Sequence, residues 1–594
     1  MTDRRFSVLD LARRLLAPIA ALLGLVAGLS VLILPSPAPT TADPTTFSAE
    51  RAMASINRLA DEPHSVLRRE AHDRARDDVV GMFTDLGYTP TVHSDPMFDL
   101  SDLSDPAGIF DDLSVEQQAT LKDAPAETIV VDVPGKSERT MALMAHYDSS
   151  TVEADENGHQ QITDGTSLGA ADDGYGVAAI VETLRALKAE GRQPENSLKI
   201  VITDGEEIGL VGAHNEMRHH RADYENVDLV LNLEARGMSG PALMFETSSN
   251  NSAVAGYFLS HVKQPVTGSL LPSLYARMPN TTDMAALIPE GFTVLNIAAI
   301  GEADHYHHAT DAPRYVDHST LQHYGDQVLD LARAWAFDGQ APTLTADGDL
   351  HFFQLWRGLT VRYPAAVGTG LGFLAVIAVL GAVAVRARSL RWKRVLGTVW
   401  GLTWRAAFAS AVAGLAQFGA MVMKWAPESG LGPNPLLPWM FAGGALIGAG
   451  LTARFVVRRW KEGLGQETLA AVLLLLAAAC VPLMVLLPGA AYVLVLPTLA
   501  LALTALAPRR VRPVVGALAA FIMVVIFAPT VLLIHELLSL SAVWVTVFFA
   551  IVPVAPLALV LLQAGSRRTA TGAGTASGDA SDGAPNAGPI AATA

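Results

Sequence analysis

Hydrophobic patterning changes character near residue 350. Ahead of that point short apolar runs alternate with polar stretches, and behind it longer apolar runs follow one another between short basic loops. In the first part, runs rich in branched and apolar residues and ended by polar ones predict strands over 128–133, 141–147, 198–203, 229–233, 242–246 and 294–300. Apolar positions at helical spacing predict helices over 68–86 and 176–188. Alternation of this kind implies a three-layer α/β domain around a mostly parallel central sheet, placed at residues 47–340.

In the second part, runs near 365–385, 406–423, 438–457, 468–487, 490–507, 513–534 and 541–562 each approach the ~20 residues that a helix needs to cross a bilayer. They predict an all-α, multi-span transmembrane domain of about seven helices over 360–562. A further apolar run, 15–34, lies behind Arg4, Arg5, Arg13 and Arg14. It is longer than the core of a signal peptide and reads as an uncleaved anchor. The Pro/Thr-rich stretch 35–46 then reads as a linker.

Loop charge orients these spans. Arg386, Arg388, Arg391, Lys393 and Arg394 form one basic loop; Arg458, Arg459 and Lys461, then Arg509, Arg510 and Arg512, and finally Arg567 and Arg568 form others. The intervening connections carry at most one basic residue, such as Lys424. The positive-inside rule therefore predicts a cytoplasmic N-terminus (1–14), a cytoplasmic tail (563–594) and residues 47–350 outside. The expected protein is a multi-pass one of a bacterial cell membrane, with the lipid bilayer as a partner. The tail, rich in Gly, Ala, Ser and Asp, is expected to be disordered.

A net charge of −16 changes the list of partners: nothing resembles a basic groove, so no nucleic acid is expected. The only cysteine, Cys480, lies in an apolar run, so any metal must be held by His, Asp and Glu. Those residues gather at the predicted strand ends. His146 and Asp148 close the run at 141–147, two apart and hence on one face. Asp172 and Asp173 sit in a glycine-rich loop ahead of a helix, where an acid can cap the helix or bind a metal. Glu206 and Glu207 follow the run at 198–203, where adjacent side chains pointing opposite ways suit a division of labour, one binding a metal and the other handling a proton. Glu234 ends the run at 229–233, and His305, His307 and His308 crowd a loop behind 294–300.

In this order and spacing, His-x-Asp, Asp-Asp-Gly-x-Gly, Glu-Glu-x-Gly-Leu, Asn-Leu-Glu and Tyr-His-x-x-x-Asp resemble the M28 family of co-catalytic zinc exopeptidases. With the apolar spans, the chain looks most like the membrane-bound branch that includes vacuolar membrane proteases and endoplasmic-reticulum metallopeptidases. The resemblance covers about 50–335 and implies two zinc ions and a peptide substrate cleaved at its terminus, most simply by aminopeptidase action. It implies that Asp172 bridges the ions, that Glu207 and His307 complete one, and that His146 and Glu234 complete the other. Glu206 becomes the general base and Asp148 the partner that orients His146. It also implies a cis peptide between Asp172 and Asp173. His307, rather than His305 or His308, follows Tyr306 with Asp311 four residues on, as the motif requires. Glu234 departs from the Asp of the best-known secreted aminopeptidases, which changes the site around the substrate terminus. Asn280, Thr282, Asp283 and Arg236 fall in segments that resemble the cleft walls, where polar residues satisfying the core are the simpler reading.

Two rivals use the same residues. A one-metal relative such as a glutaminyl cyclase is disfavoured by the full set of five ligand positions. A non-catalytic M28-fold ectodomain that binds peptides for a transport-related membrane domain has no need of Glu206. Intramembrane charge is sparse too, with Arg405, Lys424, Arg454, His535 and Glu536 all near span ends.

Overall fold

The computed structural model describes residues 8–97, 113–122, 124–154, 160–278, 281–422, 437–538 and 543–564. Expectations for residues 1–7, for Asn280 and Lys424, and for the tail from 565 lie outside the described residues.

The strands are β1 (Thr91–Pro96), β2 (Pro125–Val133), β3 (Ser137–His146), β4 (Val152–Ala154), β5 (Gln160–Ile162), β6 (Asn196–Thr203), β7 (Val227–Ala235), β8 (Ser239–Thr247) and β9 (Val294–Gly301). Seven of them form one sheet in the order β1-β2-β6-β3-β7-β9-β8, and β4 pairs with β5 alone. The central strands β6, β3, β7 and β9 run parallel. The flanking strands β1, β2 and β8 pair antiparallel. All six predicted strands are present. β1 escaped prediction because it is an edge strand of Thr-Val-His-Ser-Asp-Pro, mostly exposed and lacking an apolar alternation.

Alternation within the strands separates the layers. Met141, Leu143, Ala145, Leu198, Ile200 and Ile202 point into a core shared with the helices Ala49–Leu59, Arg69–Asp85, Gly174–Ala189 and His318–Phe337. Ala142, Met144, Val201 and Val230 point the other way, onto the helices Val211–His219 and Met284–Leu287. Because β3, β6, β7 and β9 are parallel, their C-terminal ends share one edge, which is where an open α/β sheet exposes side chains to a ligand.

The second face of β8 and β9 has a different cover. Leu243, Ala298 and Ile300 pack with Val31 and Leu32, which follow the first helix (Val8–Ser30), and with Leu533 and Leu537 of the helix Arg512–Leu538. A hairpin, β10 (Leu350–Trp356) with β11 (Leu359–Pro364), joins the two halves, and none of the predicted strands covers it. The first helix lies along Arg512–Leu538 at a close approach. A Cβ on Gly24 would stand 2.7 Å from the carbonyl oxygen of Phe521, and one on Gly28 would stand 2.9 Å from Cδ of Pro529. Small residues at such crossings let helices gain dispersion contacts where lipid removes the hydrophobic drive.

Among the described residues six helices are long and apolar enough to cross a membrane. Tyr492–Leu506, at 15 residues, is shorter than the ~20 a perpendicular crossing needs. The last predicted span is split into Val543–Ile551 and Val554–Ala564, with Pro553 in the break, where a proline cannot supply the helical N–H.

Candidate metal centre at the strand ends

Each candidate side chain is delivered by the end of a parallel strand or the loop behind it. His146 is the last residue of β3, and its Nδ1–H donates to the carbonyl oxygen of Asp148 at 3.0 Å. That bond fixes the ring and leaves the Nε2 lone pair facing outward. Nε2 lies 3.4 Å from Oδ1 of Asp172 and 4.0 Å from Oε2 of Glu234. On the other side of Asp172, Nε2 of His307 lies 3.4 Å from Oδ2 of Asp172 and 3.1 Å from Oε2 of Glu207. Asp172 thus offers one oxygen to each histidine.

Two adjacent acids serve different ends in the loop before Gly174–Ala189. Asp173 caps that helix, accepting from the Gly176 amide at 2.9 Å, while Asp172 faces the histidines. The peptide bond between them is cis. Asp311 holds the loop from outside: its carboxylate accepts from the amides of Ala171 at 2.7 Å and Asp172 at 3.3 Å.

Glu206 and Glu207 are separated by a turn and not by strand pleating. β6 ends at Thr203, Gly205 takes a left-handed conformation (φ 67°), and both acids stand on a single 3-10 turn, Glu206–Ile208. The carboxylate of Asp148 accepts from both of their amides, at 3.1 and 3.2 Å. Asp148 therefore touches His146 chiefly through its main chain and spends its carboxylate on the turn that carries the two glutamates. Glu234 has Oε1 held by Asn232 Nδ2 at 2.9 Å, which leaves Oε2 toward His146.

Of the clustered histidines, His307 is the one that reaches the carboxylates, and it does so from a left-handed backbone (φ 61°), a costly conformation for a residue with a Cβ. Nδ1 of His305 instead donates to Thr310 O at 2.9 Å, a contact that closes the loop. Thr282 accepts from Asn296 Nδ2 at 2.9 Å, and Asp283 accepts from Thr203 Oγ1 at 2.5 Å, so both support the wall. The Arg236 guanidinium lies over the Tyr306 ring, 5.8 Å from its centre.

The charge balance of this cluster is that of a cation site. Burial pushes the carboxyls of Glu206, Glu207 and Glu234 up, and neighbouring acids add to the rise. Burial alone would depress His307, but the nearby carboxylates of Glu207 and Asp172 carry it up to about 10. Burial raises Asp311 to about 7. Nε2 of His146, Nε2 of His307 and Oε1 of Glu207 are buried without a hydrogen-bond partner. Leaving such atoms unpaired costs about 1–3 kcal/mol each, so their convergence needs a compensating ligand. His146, Asp172 and Glu234 form one set of donor atoms lying within 4.8 Å of one another, and Asp172, Glu207 and His307 form a second. Imidazole and carboxylate donors without sulfur fit divalent cations of the zinc type.

Beside these sets opens a pocket whose lining includes Asp172, Glu206 and Glu234. Its walls also include Phe245, Leu271, Tyr275 and Leu537. Sequence reasoning missed these four, since none belongs to a motif and Leu537 lies in a membrane-type helix. A separate cluster, His93, Glu216 and His220, stands at β1. His93 Nδ1 engages Glu216 Oε1 at 2.8 Å and His220 Nε2 engages Asp95 Oδ2 at 2.9 Å, so these groups satisfy one another.

Residues 128–332 match the family described as Peptidase family M28. The chain is similar to the vacuolar membrane protease of Lodderomyces elongisporus, 28% identical over 210 residues, covering 35% of this chain and 20% of that protein. It is likewise similar to endoplasmic reticulum metallopeptidase 1 of Mus musculus, 25% identical over 222 residues, covering 36% and 24%. The chain thus spans about a fifth to a quarter of the length of these relatives. Among solved structures, Porphyromonas gingivalis glutaminyl cyclase aligns with a TM-score of 0.37 at 18% identity, over 48% of this chain and 98% of that one. Legionella pneumophila LapA aminopeptidase aligns with a TM-score of 0.35 at 13% identity, over 50% and 73%. The chain carries a Peptidase M28 domain and, with its apolar helices, is a multi-pass membrane protein.

Proposed function

Starting from a Peptidase M28 domain seated on membrane helices, we propose that this protein is a two-zinc exopeptidase that removes residues from the amino ends of peptides outside the cytoplasm. His146, Glu234 and Asp172 would hold one ion, and Glu207, His307 and Asp172 the other. The observation that carries this reading is the shared position of Asp172, one oxygen toward each histidine, between two buried donor sets whose imidazole Nε2 atoms make no hydrogen bond. When bound, the ions supply Lewis acidity to the scissile carbonyl and to the attacking water.

The chain's own groups do the rest. Glu206 lines the pocket beside both donor sets, and its carboxylate is the group placed to take a proton from water and pass it to the leaving amine. Asp148 holds the turn that presents Glu206, and the Asp148 carbonyl keeps the proton of His146 on Nδ1. Arg236 and Tyr306 form the pocket rim on the His307 side.

The test uses full-length protein in detergent, stripped by chelator and reloaded with zinc. Peptides with free and with acetylated amino ends are followed by mass spectrometry beside elemental analysis. Two zinc ions per chain and stepwise shortening of the free peptides alone are expected. Metal uptake without turnover would favour a peptide-binding ectodomain, and shortening from the carboxyl end would reverse the assigned direction.

A further inference from the structure

The pocket beside the centre is built by both halves of the molecule. One wall belongs to the sheet: Leu243 and Phe245 from β8, and Ile300 from β9. A second wall is the short helix Leu270–Tyr275, which supplies Leu271 and Tyr275, the latter edge-on to Phe245 with ring centres 4.6 Å apart. Leu537, near the end of Arg512–Leu538, a helix long and apolar enough to cross a membrane, lines the pocket as well.

The short helix is itself held by the membrane half. Ser269 Oγ donates to Gly489 O at 2.7 Å, and an Arg277 guanidinium N–H donates to Leu486 O at 2.8 Å. Gly489 fits so closely that a Cβ there would stand 2.3 Å from Ser273 Oγ and 2.8 Å from Ser269 O. Leu537 shares an apolar cluster with Leu243, Leu271 and Ile300, yet keeps a face toward the open pocket. Away from Asp172, Glu206, Glu234 and Arg236, the lining is mostly apolar, its polar atoms being two threonine hydroxyls and the hydroxyls of Tyr275 and Tyr306. Such walls select a side chain by the water it sheds, and they penalise a charge, which would lose its hydration without a counter-ion.

Resting on the peptidase reading above, we infer that the membrane domain is part of the substrate site. The pocket takes a large apolar side chain on the terminal residue of the peptide, and Leu537 is a specificity-determining residue contributed by a membrane helix.

The experiment compares full-length wild type with Leu537→Ala, Leu537→Glu and Gly489→Val, and with Leu533→Ala as a packing control in the same cluster. Peptides differing only in a terminal Leu, Ala or Lys are assayed twice: as kcat/KM ratios with zinc-loaded protein, and as Kd ratios with chelator-treated protein. Leu537→Ala is expected to lower the Leu-over-Ala preference by about 5- to 10-fold, the range that a few lost apolar contacts command. Leu537→Glu should turn the preference toward Lys, a gain that mere loosening does not give. Gly489→Val should weaken the preference by displacing the short helix, and Leu533→Ala should leave both ratios unchanged. Unchanged ratios in both Leu537 variants, or an equal shift in Leu533→Ala, would overturn the assignment. Should loaded wild type fail to cleave any peptide, the peptidase reading falls, and the Kd ratios alone then decide for or against the pocket.

Discussion

At the scale of single residues, adjacency in the chain says little about role. Glu206 and Glu207 share a turn, yet Glu207 reaches His307 at 3.1 Å while Glu206 lines the open pocket. Glu206→Gln keeps the size of the side chain and removes its basicity, so both metals should stay bound while turnover falls roughly 100-fold or more. Glu207→Gln removes the charge beside His307 and, on the proposed two-zinc reading, should weaken the ion that the pair would share. Elemental analysis beside the turnover number separates the two; full activity in Glu206→Gln, or metal loss there with retention in Glu207→Gln, would reverse the roles. Asp311 acts one step further out. Asp311→Ala would leave the buried amides of Ala171 and Asp172 unpaired, at about 1–3 kcal/mol each. With the loop released, zinc affinity should drop about 10- to 100-fold, the usual effect of losing an outer partner. Competition with a chromophoric chelator measures it, and Asp311→Asn, which keeps an acceptor, should recover part of the loss.

At the scale of elements, edge strand β1 is tied to the helix Val211–His219 by side chains more than by apolar burial. His93 bonds to Glu216 and stacks on His220 with ring centres 3.8 Å apart, and Asp95 takes the other side of His220. The hydrogen bond to Glu216 holds His93 above its ordinary value, against a smaller loss from burial. A raised folded-state pKa means that this contribution is fully present below about pH 6.5, the unfolded value, and fades as pH climbs through the folded one. His93→Gln should therefore lower Tm more at pH 6 than at pH 9. Calorimetry at both values checks the sign, and an equal or larger effect at pH 9 would refute the linkage.

At the scale of the whole molecule, the M28 half rests one face of β8 and β9 on the apolar helices, with Leu243, Ala298 and Ile300 against Leu533 and Leu537. On the positive-inside rule we propose that basic loops such as the one holding Arg386, Arg388 and Arg391 face the cytoplasm and that the M28 domain lies on the opposite side. The single native cysteine, Cys480, is buried, which simplifies the measurement. Gln193→Cys should react with an impermeant thiol reagent in intact cells, and Ser389→Cys only after lysis. The reverse pattern would invert the topology.

How much of this was legible in sequence depends on the range of the interactions. The six predicted strands and the helix before Lys188 are written in local periodicity, because whether a side chain faces core or water is set by the few residues around it. The five motifs stood out because each strand end or loop must carry its polar groups within a few residues. The edge strand β1 and the hairpin β10–β11 carry no such local signal, whereas the split of the last span has one in Pro553 that the apolar run masked. Nor did the sequence tell that Asp148 would spend its carboxylate on the amides of Glu206 and Glu207, a contact made between residues 58 and 59 positions apart. By itself the sequence determined two regimes of burial, the positions of six strands and the chemical kinds of donor at their ends, since these follow from side-chain hydrophobicity and spacing. Only the tertiary structure decided which oxygen of Asp172 faces which histidine, that Asp173 caps a helix while its neighbour does not, and that Leu537 lines the pocket. Those outcomes depend on how strand ends and a membrane helix meet in space, and the free energy of such meetings is shared among residues that no local pattern connects.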